Sequence, residues 1–198
     1  MNRQLPDGFA FDADAVAIGA SAGGIDALFA LLQGLAPPAS AAIVLVLHLP
    51  EQHESRLAQV FGNRTGLPVQ EAQPHAPVQP GTVYLAPPGY HLLVEADRTF
   101  SLSCDPPVLF SRPSIDVLFE SCAEAYGDRL LGMVLTGANE DGGRGLAAIK
   151  ACGGLTAVQD PAEAAHAAMP DAAIRLAAPE FVLPLSGLRG LLHTVVQR

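Results

Sequence analysis

The sequence predicts an α/β fold: a doubly wound, mostly parallel sheet with helices on both faces and an inserted antiparallel hairpin. Three observations carry that expectation. Short apolar runs alternate with segments of helical periodicity along most of the chain. The run 41–47 is uninterrupted and rich in branched residues, as suits a parallel strand covered on both faces. Between residues 67 and 102, Pro, Gly and alternating residues replace the helical period, which marks a β insertion rather than a second domain.

Each element follows from local signals. Residues 1–13 read as a loose tail with a turn at Pro6-Asp7-Gly8, and residues 14–198 as a single domain. Residues 15–18 form the first strand. Ile25, Leu28, Phe29, Leu32 and Leu35 recur at helical spacing and predict a helix over 23–35, which Pro37-Pro38 cannot continue. Strand 41–47 ends at His48-Leu49-Pro50, and a second helix is expected from about 52 to 61. In the insertion, 82–86, 91–95 and 99–103 read as short antiparallel strands. Pro113 opens a helix with Ser111 as its cap and Ile115, Leu118, Phe119 and Cys122 on its apolar face. A strand within 129–135 leads through a polar, glycine-rich stretch, 136–145, into a helix ending at 151. Strand 155–158, helix 169–176, strand 181–183 and helix 185–196 complete the alternation.

Composition narrows the function. The chain of 198 residues is 49% hydrophobic and 16% charged, enough for a sizeable core and unlike a disordered chain. A net charge of −9 with no Lys/Arg cluster argues against nucleic acid as a partner. The longest aliphatic run is far too short to span a bilayer, and no signal peptide precedes the first strand, so a cytoplasmic location without direct membrane insertion is expected. Cys104, Cys122 and Cys152 are widely spaced and odd in number, which fits free thiols in a reducing compartment.

In a doubly wound sheet, function gathers where strands end and helices begin. Ser21, in the pattern Gly-x-Ser-x-Gly over 19–23, stands at one such end, His48 at a second and Asp141 at a third. A serine hydroxyl is a weak nucleophile at neutral pH. An imidazole must take its proton, and a carboxylate must hold that imidazole in one tautomer. Each residue also has a purely structural use: Ser21 and Asp141 as helix N-caps, His48 as a buried histidine donating to a carbonyl. Asp160 and Glu140 are rival acids, and Asp116 reads as a residue that caps or solvates its own helix. His53 at a helix start, His75 in a Pro-rich loop, His91 as an anchor of the hairpin, and His166 and His193 on exposed helix faces are weaker rivals to His48. No metal site is expected: the pair His48/His53 lacks the helical spacing of zinc ligands and no cysteine pair supports one. No cofactor is expected either. A dinucleotide fingerprint would need glycine in place of Ser21 and an acid in place of His48, and a P-loop would need Lys in place of Ile25. An α/β-hydrolase places its acid before its histidine, the reverse of the order here.

Six ordered motifs then carry a resemblance: Ile18-Gly19-Ala20-Ser21-Ala22-Gly23-Gly24, His48-Leu49-Pro50, residues 86–92, Arg112-Pro113-Ser114-Ile115-Asp116, residues 135–142, and Ala157-Val158-Gln159-Asp160-Pro161 with Met169-Pro170. From about residue 14 to 198 the chain resembles the catalytic domain of the CheB protein-glutamate methylesterases of chemotaxis. The resemblance implies a serine hydrolase that removes methyl groups from glutamate methyl esters on chemoreceptors or related signalling proteins, and that can deamidate receptor glutamines. It implies Ser21 as nucleophile, His48 as base and acid, and Asp141, rather than Asp160, as the orienting carboxylate. The oxyanion donors would be the backbone amides of Ala22 and Ala138. The family pattern differs at three places near the site: Ala22 replaces the commoner Thr, and Ala138 and Asn139 replace Met and Gly. About thirteen residues precede the first strand, where the usual member carries a receiver domain, so regulation by a receiver in cis is not expected. The alternatives are a CheB-like regulatory binding module with little chemistry and a nonspecific small-ester hydrolase.

Overall fold

A computed structural model describes residue 2 and residues 4–48 and 57–197. The strands in chain order are β1 (Ala15–Ala20), β2 (Ala42–Leu47), β3 (Val69–Glu71), β4 (Val83–Leu85), β5 (His91–Val94), β6 (Phe100–Ser103), β7 (Leu130–Val134), β8 (Leu155–Gln159) and β9 (Phe181–Leu183). The helices are α1 (Gly24–Leu32), α2 (Leu57–Gly62), α3 (Ile115–Tyr126), α4 (Gly143–Ala151), α5 (Ala168–Ala177) and α6 (Leu185–Val196).

Seven strands form one sheet in the order β3-β4-β2-β1-β7-β8-β9, with every neighbouring pair parallel. A separate antiparallel pair, β5–β6, is the inserted hairpin. All six residues of β1 and all six of β2 are buried, which is why both runs lack polar positions. Their side chains alternate between two cores. Val16, Ile18 and Ala20 face Leu28 and Leu31 of α1 and Leu188, Leu191 and Leu192 of α6. Ala15 and Ala17 belong to the opposite layer, with Ile115, Leu118 and Phe119 of α3 and Leu146 and Ile149 of α4. The small residues of β1 on that side leave room for α3 to lie close to the sheet. A Cβ on Gly19 would come within 2.3 Å of Ile115 Cγ2, so only glycine fits there.

The chain runs outward from β1 to β2 on one side and from β7 to β8 on the other. The carboxyl ends of β1 and β7 therefore flank the switch point of the sheet, the crevice where such folds bind ligands. Ser21 follows β1, His48 follows β2, and residues 135–142 follow β7.

Several expectations need correction. Segment 82–86 is not part of an antiparallel set: β4 joins the main sheet parallel to β2, and β3, unforeseen, lies outside it. Three-residue strands are too short to show a period, and an edge strand with one paired neighbour needs less apolar sequence. The N-terminal tail is not loose. Asn2 bridges Phe181, with Asn2 N–H donating to Glu180 O at 2.8 Å, and the Phe9 ring meets Phe181 edge-on at 5.3 Å. Helix α1 stops at Leu32, before the expected 35, because Gly34 takes a left-handed conformation with φ 84°. Of the helix expected at about 52–61, only the last turns, α2, lie within the described residues, and Leu49, Pro50 and His53 lie outside them.

Candidate active site

Register places the first two reactive groups side by side. Ala20 pairs with Leu47 at the ends of β1 and β2, and His48 N–H donates to Ala20 O at 3.0 Å. Ser21 N–H donates to Thr136 O at 2.9 Å, tying the turn after β1 to the loop after β7. Thr136 itself is held from below: its N–H donates to the buried Gln159 side chain at 2.9 Å, and its hydroxyl donates to Ala22 O at 2.9 Å. Gly23 turns the chain into α1 with φ 77°, a left-handed conformation that bulkier residues avoid. Residues 21–26, Leu47 and His48 line one hollow of about 360 Å³, half-open to solvent. Among the described residues, the amides of Ala22 and Ala138 have no hydrogen-bond acceptor and stand free at the two loop ends.

His48 turns its Nε2 to Asp141 Oδ2 at 2.9 Å. Asp141 is fully buried and collects further donors. Oδ2 accepts Ile115 N–H at 2.7 Å; Oδ1 accepts Ser114 Oγ–H at 2.9 Å, Asp116 N–H at 2.9 Å and Gly142 N–H at 3.0 Å. The carboxylate thus sits on the positive N-terminal end of α3. Burial pushes its pKa upward more than any other single effect. The hydrogen bond from His48 and the amides of Asp116 and Ile115 together outweigh burial and hold it below the ordinary carboxylate value. Asp141 is therefore an anion at neutral pH, able to fix an imidazole and to stabilise an imidazolium.

The other imidazole nitrogen, Nδ1, lies 3.4 Å from Ser111 Oγ, and Asn139 Nδ2 donates to the same hydroxyl at 3.4 Å. Asn139 also accepts Asp141 N–H at 3.2 Å, so this departure from the family pattern joins the acid's loop to Ser111. Ser111 Oγ is thus the hydroxyl at the His48 ring, while Ser21 lines the same hollow as His48.

The rival residues are engaged elsewhere. Asp160 Oδ1 accepts Ala162 N–H at 3.0 Å in a turn, and Glu140 pairs with Arg175 at 3.1 Å on the surface. His75 sits in a turn with φ 64°. His91 is buried, with Nε2 on Pro106 O at 3.2 Å and Nδ1 accepting Ser114 N–H at 3.1 Å, which makes it the hairpin's anchor as expected. His166 precedes α5 in an exposed loop, not on a helix face, and His193 Nε2 meets Gln33 O at 3.1 Å. Two further expectations fail. Ser111 does not cap α3; the cap is Ser114, which accepts Val117 N–H at 3.4 Å. Asp116 neither caps nor solvates its own helix: it is fully buried and accepts the N–H groups of Gly142 at 2.9 Å and Gly145 at 2.7 Å at the start of α4. Ser111, Ser114 and Asp116 stand in or beside the motif 112–116, and only the spacing of Ser114 from Val117 is a signal the sequence carries for these uses.

Fold and site together define a class: doubly wound α/β proteins with a serine, a histidine and a buried carboxylate gathered at the switch point of the sheet. Comparison narrows the class. The family model described as CheB methylesterase matches residues 16–192. A putative protein-glutamate methylesterase/protein-glutamine glutaminase of Leptospira interrogans is 44% identical over 178 residues, 90% of this chain and 92% of that one. The protein-glutamate methylesterase FrzG of Myxococcus xanthus is 40% identical over 171 residues, where the match spans 51% of the longer relative. The crystal structure of the CheB methylesterase catalytic domain of Thermotoga maritima superposes with a TM-score of 0.85 at 30% identity, covering 91% of this chain and 99% of that domain. The chain belongs to the CheB methylesterase family.

Proposed function

We propose that this protein is a carboxylic ester hydrolase that cleaves glutamate γ-methyl esters on a signalling protein, and that Ser21, His48 and Asp141 carry the reaction. The observation that bears the most weight is the 2.9 Å bond from His48 Nε2 to the buried Asp141 carboxylate, with Ser21 lining the same hollow as His48. The bond to Asp141 keeps the proton on Nε2 and leaves Nδ1 as the basic nitrogen. Nδ1 takes the proton of Ser21 as Oγ attacks the ester carbonyl. The oxyanion of the tetrahedral intermediate meets the free amides of Ala22 and Ala138. Collapse expels methanol, which receives the proton back from His48, and leaves an acyl-Ser21 ester. Water, deprotonated in turn by His48, attacks that ester and releases the glutamate carboxylate and free Ser21. A side-chain amide follows the same path with ammonia as leaving group, so glutamine deamidation uses the same groups.

The relatives' names support both activities, since the Leptospira interrogans protein is named for methylesterase and glutaminase together. A methylated chemoreceptor or related signalling protein is the proposed substrate. The free cysteines Cys104, Cys122 and Cys152 suit a reducing cytoplasm, where we place the reaction; among the described residues no helix is long and apolar enough to cross a membrane. A binding module without chemistry is not favoured, because the relatives this chain matches are named as methylesterases. Labelling with a fluorophosphonate followed by peptide mapping tests the assignment: the adduct is expected on Ser21, and an unlabelled folded protein would contradict it.

A further inference from the structure

The segment between the hairpin and α3 carries a feature that the reaction does not use. Val108 and Ser111 form an antiparallel bridge, exchanging N–H to O bonds of 3.1 and 2.9 Å around the two residues Leu109 and Phe110. Both central residues have positive φ, 47° and 64°, as in the tight hairpin turns that favour Asn and Gly. A Leu-Phe pair is among the worst choices for that backbone. The cover gained in exchange is small: Leu109 is 45% exposed and Phe110 103%, the most exposed of the large apolar side chains among the described residues.

The turn is nonetheless held firmly. Arg112 Nη1 donates to Cys104 O at 3.0 Å and Asp105 O at 3.2 Å. The buried His91 binds Pro106 O on one side and Ser114 N–H on the other. The tip is also continuous with the site, because Ser111, the next residue after Phe110, lies 3.4 Å from His48 Nδ1. An apolar pair kept in a costly conformation, with Phe110 fully exposed and Leu109 nearly half so, braced from beneath and one residue from the neighbour of the candidate base, is built to meet something that enters the site.

We propose that Leu109 and Phe110 form the docking tip for the protein substrate. They would receive an apolar side chain of the segment that carries the esterified glutamate. The proposal rests on the esterase reading above. Adjacent residues are about 3.8 Å apart, so a partner side chain on the tip lies about one to two helical turns, roughly 5–11 Å, from an ester at His48. On a helical substrate that places it at i±4 or i±7 from the glutamate. A substrate the size of an acetate ester cannot span the site and the tip together.

The test uses two synthetic helical peptides with one glutamate γ-methyl ester each, one with Leu and one with Gln four residues on either side. Enzymes are the full chain and the double variant Leu109→Asn/Phe110→Gly, whose residues suit the turn. The full chain is expected to favour the Leu peptide at least tenfold in kcat/KM, chiefly through KM. The variant should lose that preference while its melting temperature holds or rises, and its kcat/KM ratio of Leu peptide to p-nitrophenyl acetate should fall in step. A preference retained in the stable variant overturns the docking role. So does loss of self-association by the variant, read by sedimentation, with peptide preference unchanged, since the tip would then be a contact between two copies of this chain. If the full chain shows no Ser21-dependent turnover of any ester, the esterase reading itself fails, and the docking role with it.

Discussion

Asp116 and Asp141 each close the helix that the other one begins. Asp141, just ahead of α4, accepts the first amides of α3, including that of Asp116 itself at 2.9 Å; Asp116, in the first turn of α3, accepts the Gly142 and Gly145 amides at 2.9 and 2.7 Å at the start of α4. The exchange satisfies N–H groups that a buried helix end otherwise leaves unpaired. It also fixes where Asp141 presents its second oxygen to His48. Asp116→Ala would take the side-chain acceptor from the buried Gly145 amide and leave Gly142 N–H with Asp141 Oδ1 alone, while the mostly exposed Arg144 partner adds little. Urea denaturation is expected to show a loss of about 1–3 kcal/mol, and ester turnover should fall with it. Asp116→Asn keeps one acceptor oxygen and should recover much of both.

The lowered pKa of Asp141 makes stability depend on pH in a definite direction. A carboxyl whose folded pKa lies below its unfolded value contributes stability that is fully present above the unfolded value. That stability is lost as pH falls through the folded one. Unfolding midpoints should therefore drop as pH is lowered from about 5 toward 2. Asp141→Asn should flatten this limb, with the largest gap between variant and parent near neutrality. Parallel curves for the two proteins would show that the carboxylate is not held as described.

The same bond sets the tautomer of His48. Nitrogen-detected NMR of the neutral ring should find the proton on Nε2, facing Asp141, and a bare Nδ1. In Asp141→Asn both tautomers should appear, and turnover should fall by about four orders of magnitude, as when other hydrolases lose this carboxylate.

Two serines stand near the imidazole, Ser111 at its ring and Ser21 in the same hollow, and they are not equivalent. Ser111 is the one within 3.4 Å of Nδ1, but its own N–H is spent on Val108 O; Ser21 has the free Ala22 amide beside it at the end of β1. Ser111→Ala is expected to change p-nitrophenyl acetate hydrolysis by less than tenfold, measured beside a Ser21→Ala control with none. A complete loss in Ser111→Ala would exchange their roles.

Much of this was legible in the sequence because it follows from short-range chemistry. The runs 15–20 and 42–47 are apolar since both faces of the sheet are covered, and glycine and proline mark where α1 and α4 begin and end. The candidates Ser21, His48 and Asp141 stand out in the sequence by their places at strand ends. What stayed hidden depends on contacts across the fold. Asp116 reads as a surface helix residue, and its carboxylate finds use only when α4 packs against α3. Ser111 looks like a cap because it precedes a helix, whereas Ser114 has the backbone position for it. β3 is unforeseen and β4 misplaced because three residues carry no period, and β2, the partner of β4, is distant in sequence.

The most direct measurement is methanol released from a peptide bearing a glutamate γ-methyl ester, followed alongside formation of the free carboxylate. The wild-type chain should release one methanol per carboxylate formed, and Ser21→Ala, folded and with an unchanged unfolding midpoint, should release none. Methanol release that survives Ser21→Ala, or its absence from the folded wild-type protein, would contradict the account.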